Sequence, residues 1–239
     1  QRLSHTPNGN FLRLLAHLAA GECGPVSLLS VMKHPLTAAG QDRREWLHGV
    51  RRLELAILRG PAPGPGFKGL REGIAAAFRG RRADPEAESR LLELVAAMQE
   101  AIGPFHSLPR TAPLRPALDL FDEHLAAAER LAATPAQPGG LRLYAQAEGE
   151  ALARHLALLR PAMAEMPPVQ PAEWPALFES ALSLGTTRCD RVSRGRREGR
   201  HPHVEILGLI EARLLDFDTV VLGALDETVW PQAAHPGPW

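Results

Sequence analysis

Apolar residues recur at three- and four-residue intervals along most of this chain. Phe11, Leu14, Leu15 and Leu18 make one stripe, and Trp46, Val50, Leu53 and Ile57 a second. Leu91, Leu94, Val95, Met98 and Ile102 follow, then Leu114, Leu118, Phe121 and Leu125. Leu152, Leu156 and Leu159 come next, and Trp174, Leu177, Phe178, Ala181 and Leu182 close the series. Each spacing predicts an amphipathic helix with one buried face. The pattern is helical from Phe11 to about Leu184, and Trp46 and Trp174 are expected in the core. Asp84-Pro85-Glu86 reads as an N-cap with proline at the first helical position, and Thr6-Pro7 repeats that chemistry. Proline and glycine gather at Gly60 to Gly66, Gly103 to Pro116, Thr134 to Gly140 and Pro161 to Pro171. These stretches are expected to connect helices.

The pattern changes near the end. Val204 to Leu207 is a short strand candidate, and Val220 to Leu222 is a continuous apolar run of the kind buried on both faces of a sheet. About a dozen residues separate them, enough for a short helical turn and a tight parallel crossover. The second strand runs out at Asp226-Glu227, next to where open α/β sheets bind ligands. The switch falls in an arginine-rich stretch between Gly185 and His201. The expected organisation is therefore a helical domain over 1–184, a linker over 185–202 and a partial α/β segment over 203–239. Two strands alone do not make a sheet of normal size. The chain is accordingly expected to be an internal piece of a larger protein.

Composition narrows the chemistry. The 239 residues carry no net charge, so any contact with nucleic acid must be local. Arginine outnumbers lysine 25 to 2, a bias of the source genome. Cys23 and Cys189 lie far apart and form no Cys-x-x-Cys pair, so zinc ribbons and redox motifs are not supported. The apolar runs are too short to span a membrane. No Gly-x-x-x-x-Gly-Lys-Ser/Thr loop is present, which argues against reading Asp226-Glu227 as part of a metal–nucleotide site. The histidines of His34-Pro35 and His201-Pro202-His203 lack metal-site spacing and are expected to make loop hydrogen bonds. Arg188, Arg191, Arg194, Arg196, Arg197 and Arg200 form the strongest basic cluster. It could track a phosphate backbone or be a solvated linker. Arg79, Arg81 and Arg82 make a smaller one.

Several runs resemble a known family. Gly208-Leu209-Ile210-Glu211-Ala212-Arg213-Leu214 and Leu222-Gly223-Ala224-Leu225-Asp226-Glu227-Thr228-Val229-Trp230-Pro231 look like AddB subunits of the AddAB helicase-nucleases, in their alphaproteobacterial form. Leu3-Ser4-His5-Thr6-Pro7-Asn8-Gly9-Asn10-Phe11-Leu12-Arg13-Leu14 and Leu28-Leu29-Ser30-Val31-Met32-Lys33-His34-Pro35-Leu36 agree with them. The segment 60–171 matches mainly by helical character. The wider resemblance is to superfamily-1 helicases, which insert a helical 2B domain into a RecA-like 2A domain. It implies a mainly α fold, with a 2B-like insertion followed by a partial α/β return into 2A.

In that alignment Arg213-Leu214-Leu215-Asp216-Phe217 falls on helicase motif V. Asp216 stands where active relatives place the acidic residue that touches the nucleotide sugar. Leu214 replaces a glycine, and Leu209 and Ile210 replace a Thr-His pair, so the motif is degenerate and turnover is not expected. Arg213 could contact DNA phosphate or a neighbouring domain, or pair with Glu211. The resemblance implies a non-catalytic segment of a double-strand-break repair complex in the bacterial cytoplasm, at the nucleoid. Its implied partners are single-stranded or duplex-end DNA and an AddA-like subunit. No cofactor is expected here. ATP with Mg²⁺ belongs to the parent complex, and an iron–sulfur cluster to a nuclease domain outside this chain. The competing expectation is a free-standing helical protein-interaction module with a small α/β tail.

Overall fold

A computed structural model describes residues 1–21, 24–79, 84–106, 112–187, 206–208, 212–213 and 215–223. The chain divides into two compact units, Gln1–Asp190 and Arg191–Trp239.

The first unit is helical, as the apolar periodicity requires. Its described helices are α1 (Pro7–Ala20), α2 (Pro25–Met32), α3 (Arg43–Leu53), α4 (Gly66–Ala77), α5 (Pro85–Ile102), α6 (Ala117–Ala132), α7 (Gly139–Leu143), α8 (Gln146–Glu165) and α9 (Trp174–Ser183). α3 continues into a π-turn over Glu54–Leu58. α1 and α6 form the centre. α1 packs on α2, α6, α8 and α9, while α5 joins α6 to α3 and α4. The core includes Phe11, Leu12, Leu15, Trp46, Val50, Phe105, Phe121, Trp174 and Phe178, all at most 1% exposed.

Both capping signals hold. Asp84 accepts a hydrogen bond from the Ala87 amide at 3.0 Å, and Thr6 Oγ1 accepts from the Gly9 amide at 3.1 Å. Gly9 is required by the close crossing of the preceding turn. A Cβ there would lie 1.9 Å from the Leu3 carbonyl oxygen.

Three expectations need correction. The α6 stripe is rotated: Leu114 is 62% exposed and Leu118 and Leu125 are only partly buried, whereas Ala117, Leu120, Phe121, His124, Ala127, Ala128 and Leu131 face the core. Small alanines let α6 approach its neighbours closely, so close packing outweighs the larger leucines. The connector expected from Pro161 begins later, because α8 runs through Pro161 to Glu165. Pro161 and Ala157 are both exposed, so the carbonyl that loses its intrahelical donor faces water. Finally, the proline- and glycine-rich stretch from Thr134 contains the start of α7, and Gly103–His106 is a 3₁₀ turn.

The ends of the helical unit are tied together. The Leu3 amide donates to Gly185 O at 2.9 Å, the Thr187 amide to Gln1 O at 2.8 Å, and the Gln1 nitrogen to Thr187 O at 2.8 Å. Arg2 and Thr186 form an isolated antiparallel bridge between them.

In the second unit the Ala212 amide donates to Gly208 O at 3.0 Å and the Leu215 amide to Ala212 O at 3.3 Å, a turn where a short helical turn was expected. The strands are not formed at the described positions. Ile206 and Leu207 are 98% and 37% exposed, Val220, Val221 and Leu222 are 61% exposed or more, and none pairs with another described segment. A strand exists only through a ladder partner. Among the described residues no strand is present to pair with this apolar run. Val204, Glu205 and Asp226-Glu227 lie outside the described residues.

Candidate functional site

The most elaborate polar construction is built around the C-terminal end of α2. A helix leaves its last carbonyls without backbone donors. Here five consecutive carbonyls are met by side chains from elsewhere. Trp46 Nε1 donates to Met32 O at 2.9 Å. Arg43 Nη2 donates to Lys33 O and His34 O, each at 3.0 Å. Arg142 donates to Pro35 O at 3.4 Å and to Leu36 O at 3.0 Å, and also reaches Ala132 O. The carbonyl immediately before these, Val31 O, accepts from the Thr37 hydroxyl at 2.6 Å. The loop then docks on α6, where the amides of Ala38 and Ala39 donate to Leu131 O and that of Gly40 to Ala133 O. Gly40 is in the left-handed region at φ +79°, which favours glycine.

His34 belongs to this construction. It is 8% exposed, stacks on Phe11 with ring centroids 4.9 Å apart, and accepts the Leu36 amide on Nδ1 at 3.3 Å. This is the loop hydrogen bonding expected of His34-Pro35. Burial, and then the Arg43 charge, push the ring down to about 4, opposed by a hydrogen bond to the Pro7 backbone. Arg43 is itself held below the ordinary guanidinium value by burial and by the charges of Arg142 and Arg51. Its Nη1 is buried without a hydrogen-bond partner.

α3 presents a basic face beside this cluster. Arg44, His48 and Arg51 follow a four- then three-residue spacing and are exposed, with Arg52 half-buried alongside. None of the three arginines forms an ion pair with a described residue. Elsewhere in the unit five arginines are paired with carboxylates, while Arg2, Arg79 and Arg154 have no ion pair with a described residue. Arg13 pairs with Glu179, Arg59 with Glu54, Arg90 with Glu86, Arg115 with Glu123 and Arg160 with Asp122. Of the three carboxylates nearby on the chain, Glu54 is taken by Lys33 and Arg59, and Asp42 is the N-cap of α3, accepting from the amides of Arg44 and Glu45. Glu45 is exposed at the edge of the face.

A second buried histidine is structural. His124 is fully buried between α1, α6 and α9. Its Nε2 lies 3.0 Å from Leu12 O, and Trp174 Nε1 donates to its Nδ1 at 3.3 Å. That arrangement requires the neutral ring with the proton on Nε2. Phe105 stacks on it at 4.6 Å and Phe178 meets it edge-on at 4.5 Å. Burial pushes its pKa down to about 3.

The sequence-predicted site residues are not brought into this region. Arg213 and Asp216 belong to the second unit, are both exposed, and form no ion pair with another described residue. Arg188, Arg191, Arg194, Arg196, Arg197 and Arg200 lie outside the described residues, as do Glu211, Leu214, the His201-Pro202-His203 run, Cys23 and Cys189. Arg79 is exposed, and Arg81 and Arg82 are not described. Among the described residues no group of three His, Cys, Asp or Glu side chains is arranged to hold a metal ion. No described helix is long and apolar enough to cross a membrane. The α3 arginines escaped the sequence reading. Their signal was two Arg-Arg doublets, Arg43-Arg44 and Arg51-Arg52, on either side of the Trp46–Val50 stripe. Comparison of the chain with protein-family models, with curated proteins and with solved structures gives no match.

Proposed function

We propose that this chain is a non-catalytic, helicase-like segment of a DNA double-strand-break repair helicase-nuclease subunit of the AddB type. Its helical unit is the 2B-like insertion, which helps to form the DNA channel or the face toward an AddA-like partner. The observation that carries this is the pairing of Gln1–Leu3 with Gly185–Thr187. A domain inserted into another must leave its host and return at nearly the same point. The helical unit has its two ends joined in that way, and the division into units at Asp190 and Arg191 follows directly. The runs quoted above that resemble AddB subunits stand on both sides of this junction. In this reading ATP and Mg²⁺ act in the parent complex, and Asp216 retains a motif V position without turnover.

The test is binding of the chain to a fluorescent single-stranded oligonucleotide across a salt series. Binding that weakens with salt, with no release of phosphate from ATP and no cutting of DNA, is the expected result. Arg196→Gln with Arg197→Gln should lower the salt slope by roughly one to two units and leave sequence preference unchanged. DNA-stimulated ATP hydrolysis abolished by Asp216→Ala would overturn the non-catalytic assignment. No binding to DNA at low salt favours the helical protein-interaction module instead.

A further inference from the structure

We infer that the exposed face of α3 is a phosphate-contact surface for a DNA strand, formed by Arg44, Arg51 and Arg52 with His48 between them and Arg43 behind. This rests on the DNA-channel reading above and assigns it residues other than the Arg188–Arg200 cluster.

Three observations carry it. The first is the contrast in pairing. In a chain with no net charge, five other arginines have carboxylate partners; Arg44, Arg51 and Arg52 have none among the described residues and, unlike the equally unpaired Arg2, Arg79 and Arg154, share one helix. Clustered like charges without counter-ions repel, and a polyanion relieves that repulsion.

The second is placement. Arg43 and Arg44 occupy the first turn of α3, where the positive end of the helix dipole disfavours cations. The N-cap Asp42 and Glu45 of the same turn answer that dipole, yet neither forms an ion pair with Arg44, Arg51 or Arg52. The third is the unpartnered, buried Nη1 of Arg43, in a guanidinium already committed to two carbonyls. It backs the exposed arginines with a positive charge held in place by those two bonds.

The spacing suits a backbone. Arg44 and Arg51 are seven residues apart, about 10 Å along the axis, on one side of the helix. The large apolar side chain on this face is Leu55, 64% exposed. It offers no aromatic platform for stacking bases, so contact here is with phosphates and is indifferent to sequence.

The experiment compares the whole chain with Arg44→Gln/Arg51→Gln/Arg52→Gln, using fluorescence anisotropy of a labelled 20-mer of thymidylate. The control, Arg59→Gln/Arg90→Gln/Arg160→Gln, removes the same charge from arginines that are paired. The helical circular dichroism of both variants should match that of the parent. The α3 variant is expected to bind roughly 10- to 100-fold more weakly at low salt, with a salt slope shallower by about two units. The control should bind within about threefold of the parent.

Equal affinity and slope for the parent and the α3 variant overturns the inference. If Arg196→Gln/Arg197→Gln weakens binding in that case, the DNA reading stands and only the α3 surface falls. Failure of the parent to bind the 20-mer at all overturns both. Equal losses in the α3 variant and the control also overturn the inference, because binding would then follow total charge. Displacement of the 20-mer by poly-glutamate at equal charge concentration would assign the face to an acidic protein and overturn it too.

Discussion

His124 and His34 are the two places where one side chain controls much of the packing. His124 joins α1, α6 and α9 through Leu12 O and the Trp174 indole, and it can do so only while neutral. His34 is held between Phe11 and Arg43. Both rings have folded pKa values below the unfolded 6.5, at about 3 and about 4. The unfolded chain therefore binds more protons as the pH falls below about 6.5. The stability these rings contribute is fully present above that pH and is lost as pH falls through the folded values. Each ring should steepen the loss by up to about 1.4 kcal/mol per pH unit below 6.5. Urea unfolding at pH 7.5 and pH 5 should show the midpoint falling, and His34→Gln should remove part of the fall. A midpoint that does not change over this range would show that neither ring titrates as described. No feature of the sequence singled out His124. It lies on the face of α6 that the leucine stripe pointed away from, and the groups that bury it come from residues 12, 105, 174 and 178.

At the scale of elements, local chemistry set the helix starts and distant chemistry set several of the ends. Thr6 and Asp84 act on amides within three residues, so their roles could be read from neighbouring letters. The end of α2 depends on Arg142, more than a hundred residues away, and on Trp46 and Arg43 from α3. No local pattern announces such a contact. Pro161 is the clearest case of an element surviving an unfavourable letter. Its cost is limited because the freed Ala157 carbonyl is exposed, while Leu152, Leu156 and Met163 of the same helix hold it against the core. Pro161→Ala should restore the missing hydrogen bond and stabilise the protein by roughly 1–3 kcal/mol. The check is the chemical-denaturation midpoint, and a variant less stable than the parent would mean that the proline relieves strain in α8.

At the scale of the molecule, the buried hydrophobic core of the described residues runs from Leu3 to Leu182, entirely within the first unit. A chain ending at Thr187 keeps that core and the pairing of residues 1–3 with 185–187. It should unfold cooperatively within about 2 °C of the full chain, since a shift of that size corresponds to well under 1 kcal/mol. A drop of about 10 °C or more would show that the second unit supports the first. The sequence by itself determined the helical class, the positions of α1, α3, α5, α8 and α9, and the burial of Trp46 and Trp174. Helical periodicity and capping act within one or two turns, so they are written locally. It also marked the arginine-rich stretch at which the helical pattern stops, because composition changes there. Only the tertiary structure decided which face of α6 is buried, since that depends on how closely the neighbouring helices approach its alanines. It alone decided which arginines are engaged with carboxylates and carbonyls and which are left free on α3. It also brought Gln1–Leu3 against Gly185–Thr187. The apolar run Val220–Leu222 marks the limit of local reading: its letters favour a strand, but a strand forms only against a partner, and none is present among the described residues.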